Sequence, residues 1–257
     1  TIAILLALVM TVSLLAGCSK GGGNDGEKTL TVALTAAPTH LDPHPQASTD
    51  SYRVVTQIYD RLVELDADMK LVPVLAESWE VKDETTTVFH LRKGVKFHDG
   101  NEMKAEDVKF SLERCIASPG VNYNYLIISE INIIDDYTVE FKTSEPCSVL
   151  LQRLTLDAAS ILSKAAVEST DDFDSHPVGC GPFKFVSWDT TSGEVVLEAF
   201  DDYWEGRPAI DKLVFKTIPE SINRTVALET KEADIAYDLA ATDFESVEKN
   251  PDLKLEK

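Results

Sequence analysis

The sequence predicts an α/β fold with a β-rich stretch in its middle, and three observations lead to that class. Of the 257 residues, 44% are hydrophobic, which is enough to build one large core or two smaller ones. The last third alternates between strand and helix patterns, and this alternation is typical of βαβ units with a mostly parallel sheet. The middle third instead contains short strand patterns separated by turn residues.

The first elements follow from hydrophobic spacing and from capping residues. Alternation of Leu30, Val32 and Leu34 predicts a strand over residues 28–35. A helix is predicted after residues 48–50, whose side-chain oxygens can cap it. The middle of the chain then predicts hairpin strands over 78–82 and 86–91, a helix over 105–117, and a second hairpin over 127–134 and 137–142.

The last third predicts three strands before its first helix. The predicted elements are strands over 183–188, 194–200 and 212–218, a helix over 221–230, a strand over 234–239, a helix over 243–249 and a closing strand over 253–255.

The first residues carry the pattern of an export signal. Residues 2–16 are almost wholly apolar, and they lead into the run Leu15-Ala16-Gly17-Cys18. Small residues directly before a cysteine resemble the lipobox of bacterial lipoproteins, so we expect residues 1–17 to be a signal peptide and Cys18 to be lipidated. Residues 18–27 are polar and Gly-rich and predict a flexible tether to the extracytoplasmic face of the cell membrane. The alternative is an uncleaved membrane anchor with a chance cysteine.

The net charge argues against one class of partner, and the cysteine count limits the number of disulfides. The chain has 44 acidic and 24 basic residues and a net charge of −20, which argues against nucleic acid because binding phosphates requires clustered Lys and Arg. Lipidation of Cys18 would leave three of the four cysteines, so at most one internal disulfide can form. A Cys115–Cys147 pair is conceivable, but the sequence does not select it.

A search for catalytic motifs finds none. His98-Asp99 lies in a predicted turn, and Cys180 between two glycines has only His176 nearby as an activating base. We interpret both as structural. The sequence contains no His-Glu-x-x-His helix, no P-loop and no G-x-S-x-G motif, so we expect no metal site, no cofactor and no enzymatic activity.

Three runs of sequence resemble the family-5 extracellular solute-binding proteins, the peptide/nickel-type receptors of bacterial ABC importers. They are Leu41-Asp42-Pro43-His44 with the downstream run 58–63, the long run 72–114, and the run that begins Pro177-Val178-Gly179-Cys180-Gly181-Pro182-Phe183 and ends near residue 229. This chain departs from the family pattern at Cys180, Phe183 and Lys104. Lys104 replaces a capping Thr, and we expect that change to cost ~1 kcal/mol.

The resemblance implies a particular α/β architecture. It is a periplasmic-binding-protein-like (type II) lobe formed by residues 28–62 and 171–257, with residues 63–170 inserted as a β-rich α+β domain. Such receptors run to about twice this size. We therefore expect a partial sequence that lacks the second ligand-gripping lobe.

The resemblance also implies function. We expect a monomeric receptor that captures oligopeptides or dipeptides by hinge closure and delivers them to an ABC permease. Its ligand contacts would come from two segments, one before the first helix and one at a strand end: Ala47, Ser48, Thr49, Tyr237, Asp238 and Leu239. The alternatives for these residues are that Ser48 is only a helix cap and that Tyr237 is a core-edge aromatic. The alternatives for function are a nickel, haem or sugar receptor of the same fold, a cell-surface hydrolase, or a signalling lipoprotein.

Overall fold

The structure is a computed structural model that describes residues 27–45 and 47–256. The predicted signal peptide, the lipidation site Cys18 and all but the last residue of the predicted tether lie outside these residues. Within them, no helix is both long enough and apolar enough to cross a membrane.

The described residues form eleven strands and six α-helices. The strands are β1 (Thr29–Leu34), β2 (Val63–Leu65), β3 (Leu71–Pro73), β4 (Ala76–Asp83), β5 (Thr86–Leu91), β6 (Ile128–Asp135), β7 (Thr138–Thr143), β8 (Phe183–Asp189), β9 (Glu194–Ala199), β10 (Lys212–Thr217) and β11 (Ile235–Ala236). The helices are α1 (Thr49–Ile58), α2 (Ala105–Ala117), α3 (Leu150–Arg153), α4 (Lys164–Glu168), α5 (Ser221–Glu229) and α6 (Phe244–Lys249).

One sheet combines β1 with the four strands of the last third of the chain, in the order β11-β1-β10-β9-β8. Strand β1 pairs in parallel with both β10 and β11, whereas β9 is antiparallel to β10 and to β8. The prediction of a mostly parallel sheet is therefore wrong for β8 and β9. The reason is that the chain passes from β8 through β9 to β10 without a crossover helix, and strands joined in this way pair antiparallel.

The second sheet is antiparallel throughout, in the order β4-β5-β7-β6, and β2 and β3 form a separate two-stranded ribbon. Helix α2 covers this sheet and buries Val108, Leu112 and Cys115. The buried residues form two main clusters. The first cluster consists of Cys180 and of buried hydrophobic residues between positions 62 and 161. The second consists of buried hydrophobic residues between positions 32 and 59 and of later residues such as Leu162, Leu197 and Phe215. The domain limits at residues 63 and 170 stay a prediction.

Helices α1 and α2 are capped in different ways. Ser48 caps α1 and accepts a hydrogen bond from the Ser51 amide at 3.5 Å. Helix α2 begins after Lys104, whose side chain cannot accept a capping bond. Instead, the Asp107 carboxylate accepts the Lys104 amide at 2.9 Å, and Lys104 Nζ pairs with Asp136 at 2.8 Å. These contacts compensate part of the predicted capping cost.

Two strand predictions near the C-terminal end are corrected. The strand predicted over 234–239 contains only Ile235 and Ala236, because Asp238 has a φ of 52° and turns the chain out of the extended conformation. Residues 253–255 form no strand, and Leu253 instead closes a turn onto the Asn250 carbonyl at 3.2 Å. Alternation alone cannot form a strand without a neighbouring strand to pair with.

Candidate functional site

The candidate site lies where the parallel strands β1 and β11 end. Ligands of open α/β sheets bind at the carboxyl ends of their strands. The start of α1 is tied to the end of β1, because one Asp50 oxygen accepts the Thr35 hydroxyl at 2.7 Å and the Ala36 amide at 2.9 Å. Residues 237–239 follow β11 directly, and the Tyr237 amide continues the pairing by donating to the Ala33 carbonyl at 3.2 Å.

Arg53 connects the two segments at this edge. Its guanidinium donates to Asp50 at 2.6 Å and pairs with Asp238 at 2.8 Å, and it lies 4.1 Å from the centre of the Tyr237 ring. Burial alone would lower the pKa of Arg53, but the hydrogen bonds with Asp238 and Asp50 raise it, so the group stays a cation. Two carboxylates around one guanidinium leave this cluster with a net negative charge.

Arg224 holds the backbone of Tyr237 and Asp238 in place through hydrogen bonds. It is only 3% exposed, and its guanidinium donates to the carbonyls of Tyr237 at 3.0 Å and Asp238 at 2.7 Å. It also donates to the carbonyls of Ile218 at 2.6 Å and Pro219 at 2.7 Å. A planar guanidinium can satisfy four carbonyls in this way because its donors point in fixed directions.

The bend at Asp238 leaves main-chain groups without partners. Within the described part of the chain, the amides of Asp238 and Leu239 and the carbonyl of Leu239 make no hydrogen bond. Tyr237 remains 39% exposed beside them. Partly exposed polar backbone next to an aromatic ring suits the binding of an extended peptide, whose own amides and carbonyls need partners.

Residues 237–239 lie at this edge, and Arg53 links them to α1, which begins at Thr49 and is capped by Ser48. We call these six residues the strand-edge site: Ala47, Ser48, Thr49, Tyr237, Asp238 and Leu239. Ser48 acts as the helix cap in this structure. The predicted alternation of side chains beyond Tyr237 is wrong, because the positive φ of Asp238 breaks it. The role of the strand-edge site in binding stays a prediction.

Sequence reasoning missed Arg53 and Arg224, which hold the site in place. Arg224 left a signal, since it is the only charged residue in the segment 221–228. A lone charge in an otherwise apolar and small-residue helix indicates a buried partner. Arg53 left none, because its partner Asp238 lies 185 positions further along the chain.

The residues considered for catalysis have structural roles. His98 donates from Nε2 to the Gly181 carbonyl at 3.0 Å and accepts the Gly179 amide at Nδ1 at 3.4 Å, and burial lowers its pKa to about 4. Burial raises the pKa of the Cys180 thiol well above its ordinary value, which removes the thiolate needed for nucleophilic attack. Cys115, Cys147 and Cys180 are all free thiols. The described residues contain no group of three or more side chains able to hold a metal ion.

The chain matches a known protein family in sequence. Residues 70–257 match the family "Bacterial extracellular solute-binding proteins, family 5 Middle". The chain is 34% identical over 259 residues to the glutathione-binding protein GsiB of Escherichia coli O157:H7, an alignment that covers 98% of this chain and 49% of GsiB.

Two solved structures extend the similarity to the fold. The ABC transporter-associated periplasmic binding protein DppA from Helicobacter pylori, in complex with peptide STSA, has a TM-score of 0.79 and 34% identity, covering 87% of this chain and 49% of DppA. The periplasmic binding protein AgaA from A. tumefaciens R10, in complex with agropinic acid, has a TM-score of 0.81 and 34% identity, covering 87% of this chain and 46% of AgaA.

The chain spans about half the length of these relatives. They are binding proteins, which confirms the expectation of a receptor rather than an enzyme and gives the protein an extracytoplasmic location. Its mixed α/β fold is that of the type II periplasmic binding proteins. On this evidence, the chain belongs to family 5 of the bacterial extracellular solute-binding proteins.

Proposed function

We propose that this protein is the substrate-binding component of an ABC importer and that it captures oligopeptides or dipeptides at the strand-edge site. In this proposal the extended peptide lies against residues 237–239 and bonds to their unpaired main-chain groups. Recognition through the main chain tolerates many side chains, which suits a receptor for mixed peptides.

The observation that carries the proposal is the unpaired backbone at the bend, next to carbonyls that accept hydrogen bonds from Arg224. Arg224 holds the carbonyls of Tyr237 and Asp238, and Arg53 holds the Asp238 side chain. The neighbouring amides of Asp238 and Leu239 are thereby presented in one conformation. Preorganised donors bind more tightly because little entropy is lost when the ligand arrives.

The choice of peptide over other solutes also draws on the relatives. DppA was solved with a peptide, whereas GsiB is named for glutathione and AgaA was solved with agropinic acid. The first two ligands contain amide backbone, which the strand-edge site can pair with. Glutathione is therefore the second candidate ligand.

The remaining parts of the proposal concern the cell and the whole receptor. We propose that Cys18 carries the lipid anchor, that the receptor is a monomer, and that a permease accepts its ligand. A second lobe would close over the strand-edge site, and a ligand that contacts both lobes would favour the closed state.

The test compares two tetrapeptides by saturation-transfer NMR, which detects weak binding. One is Ser-Thr-Ser-Ala, and the other carries N-methyl groups on its internal amides, which therefore cannot donate hydrogen bonds. We expect N-methylation to weaken binding about tenfold or more, since at least one hydrogen bond is lost and the methyl groups clash at the strand edge. Glutathione is measured in parallel.

The matched variant is Tyr237→Ala, which removes the exposed ring and leaves the backbone donors in place. We expect a loss of ~1–3 kcal/mol, or about ten- to a hundredfold in affinity. Equal binding of both tetrapeptides, or an unchanged affinity in a folded Tyr237→Ala variant, would contradict main-chain capture at this site.

A further inference from the structure

The loop before α1 is held on one side by α1 itself. This loop is residues 39–44, and it precedes residues 47–49 of the strand-edge site, which we call the helix-start segment. The Ser51 hydroxyl oxygen lies in the first turn of α1 and accepts the amide of Thr39 at 2.9 Å and that of His40 at 3.2 Å. The loop and the start of the helix are therefore joined.

The end of α2 holds the other side of this loop. Arg114 lies in the last turn of α2. Its Nη1 donates to Asp42 Oδ1 at 2.8 Å and to His44 Nδ1 at 2.7 Å, and its Nη2 donates to the second Asp42 oxygen. The Ser118 hydroxyl, at the C-cap of α2, donates to the His44 carbonyl. Helix α2 covers the second sheet, so that sheet is linked to the loop that leads into α1.

These contacts are largely shielded from water. Asp42 is 5% exposed and His44 is 2% exposed. Burial would lower the pKa of Arg114, but its hydrogen bond with Asp42 raises it, so the guanidinium stays charged. Burial lowers the pKa of His44 to about 4, so the ring is neutral at neutral pH and Nδ1 can accept from Arg114. A buried carboxylate that loses its cation is strongly unfavourable, so removal of Arg114 forces Asp42 to move toward water.

The helix-start segment is flanked by residues that different helices hold. His44 comes before it and is bound by α2, whereas Ser51 comes after it and belongs to α1. Residues 237–239, the second part of the strand-edge site, are held by Arg53 and Arg224. The two parts of the site therefore have different supports, and α2 supports the first part.

We propose that Arg114 is a positioning residue for ligand binding and that it acts through Asp42 and His44 on the helix-start segment. The inference rests on the proposed function, because it concerns residues assigned to the strand-edge site. Arg114 belongs to the helix that covers the second sheet, so it couples this sheet to one half of the strand-edge site. Its loss affects that half and leaves residues 237–239 in place.

The first experiment needs no ligand and measures ¹⁵N order parameters in Arg114→Gln and in the matched control Lys109→Gln. Lys109 lies on the same helix and pairs with Glu113 at 3.6 Å, so both variants remove one positive charge from α2. In Arg114→Gln we expect the order parameters of the helix-start segment to fall below about 0.6, the range of flexible backbone. Those of residues 237–239 should stay at the parent values, and Lys109→Gln should match the parent throughout.

The second experiment titrates the ¹⁵N-labelled variants with Ser-Thr-Ser-Ala. In Arg114→Gln we expect the peptide-induced shifts of the helix-start segment to fall by about half or more and the affinity to fall about three- to tenfold. The shifts at Asp238 and Leu239 should persist at saturation. An arginine that only stabilised the fold would change both parts of the site alike, or neither in a folded variant.

Ser118→Ala keeps the inference falsifiable if Arg114→Gln does not fold. It deletes one hydroxyl and no charge, and it should produce the same pattern with a smaller amplitude, about two- to threefold in affinity. Order parameters and peptide shifts at the helix-start segment that equal those of the parent in the folded variants would overturn the inference. Equal changes in Lys109→Gln would also overturn it.

These outcomes are separate from the test of peptide capture. A parent chain whose residues 237–239 do not respond to saturating peptide would remove the proposed function. The order parameters, measured without peptide, would still decide whether Arg114 positions the helix-start segment. A parent that binds peptide at both parts, with Arg114→Gln behaving like the parent, would remove the role of Arg114 alone.

Discussion

Replacing Asp60 by Asn tests the cost of burying a carboxyl group directly after α1. Asp60 follows α1 and is only 5% exposed, and its Oδ2 accepts a hydrogen bond from Trp204 Nε1 at 2.7 Å. Its backbone carbonyl accepts the Ile161 amide at 2.9 Å. Burial raises the pKa of Asp60 from 3.8 to about 7, and the Trp204 hydrogen bond offsets only part of this effect.

The raised pKa determines the direction of the pH dependence. Between about pH 4 and pH 7, the folded chain keeps a proton on Asp60 that the unfolded chain has released. The contribution of Asp60 to the free energy of unfolding therefore falls as the pH rises through this window. A difference of about three pKa units corresponds to ~4 kcal/mol at pH 8. Asn is neutral at both ends of the window and can still accept the Trp204 hydrogen bond, so Asp60→Asn should lose this dependence.

The assay is urea unfolding at pH 5 and pH 8 for the parent chain, Asp60→Asn and the control Asp68→Asn, whose side chain is 76% exposed. At pH 5 Asp60→Asn should be more stable than the parent by only about 1.5 kcal/mol, because pH 5 lies little more than one unit above the unfolded pKa of 3.8. At pH 8 Asp60→Asn should be more stable than the parent by up to ~4 kcal/mol. The reasoning is refuted if Asp60→Asn and the parent lose the same stability between the two pH values.

Three further substitutions test other parts of the account. Gly179→Ala places a Cβ 2.1 Å from the Ile58 carbonyl oxygen, so we expect a loss of ~1–3 kcal/mol or more in thermal unfolding, and an unchanged melting temperature would show that this approach is not tight. Arg224→Lys should cost ~2–3 kcal/mol and speed hydrogen exchange at residues 237–239, because an ammonium cannot reach four carbonyls; equal exchange rates would remove Arg224 from its positioning role. Cys18→Ser should release the protein from membranes in cell fractionation, and persistent membrane association would contradict lipidation at Cys18.

Elements with local causes could be predicted from the sequence. Helix α2 spans residues 105–117 as predicted, because its apolar residues recur with helical spacing and Pro119 and Gly120 follow its end. The turn at His98 and the cap at Ser48 were predicted for the same reason. Each depends on residues a few positions apart.

Features with distant causes could not be predicted in this way. Asp60 and Trp204 lie 144 positions apart, and the partners of Arg53 and Arg224 are likewise set by the completed sheet. The antiparallel pairing of β8 and β9 depends on how the chain returns, which hydrophobic alternation does not encode. The resemblance to a family predicted the segments 47–49 and 237–239. Only the structure shows that Arg53 and Arg224 contact the second of these segments.

The most direct test of the central claim is a titration of the ¹⁵N-labelled chain with Ser-Thr-Ser-Ala, followed through its amide resonances. The account predicts that the largest shifts occur at the amides of Asp238 and Leu239, which have no partner in the described structure, with smaller shifts at residues 47–49. Two results would contradict peptide capture at the strand edge. In one, saturating peptide leaves the amide resonances of Asp238 and Leu239 unchanged. In the other, the largest shifts occur at residues that line the open cavity between His90 and Asp136 on the second sheet.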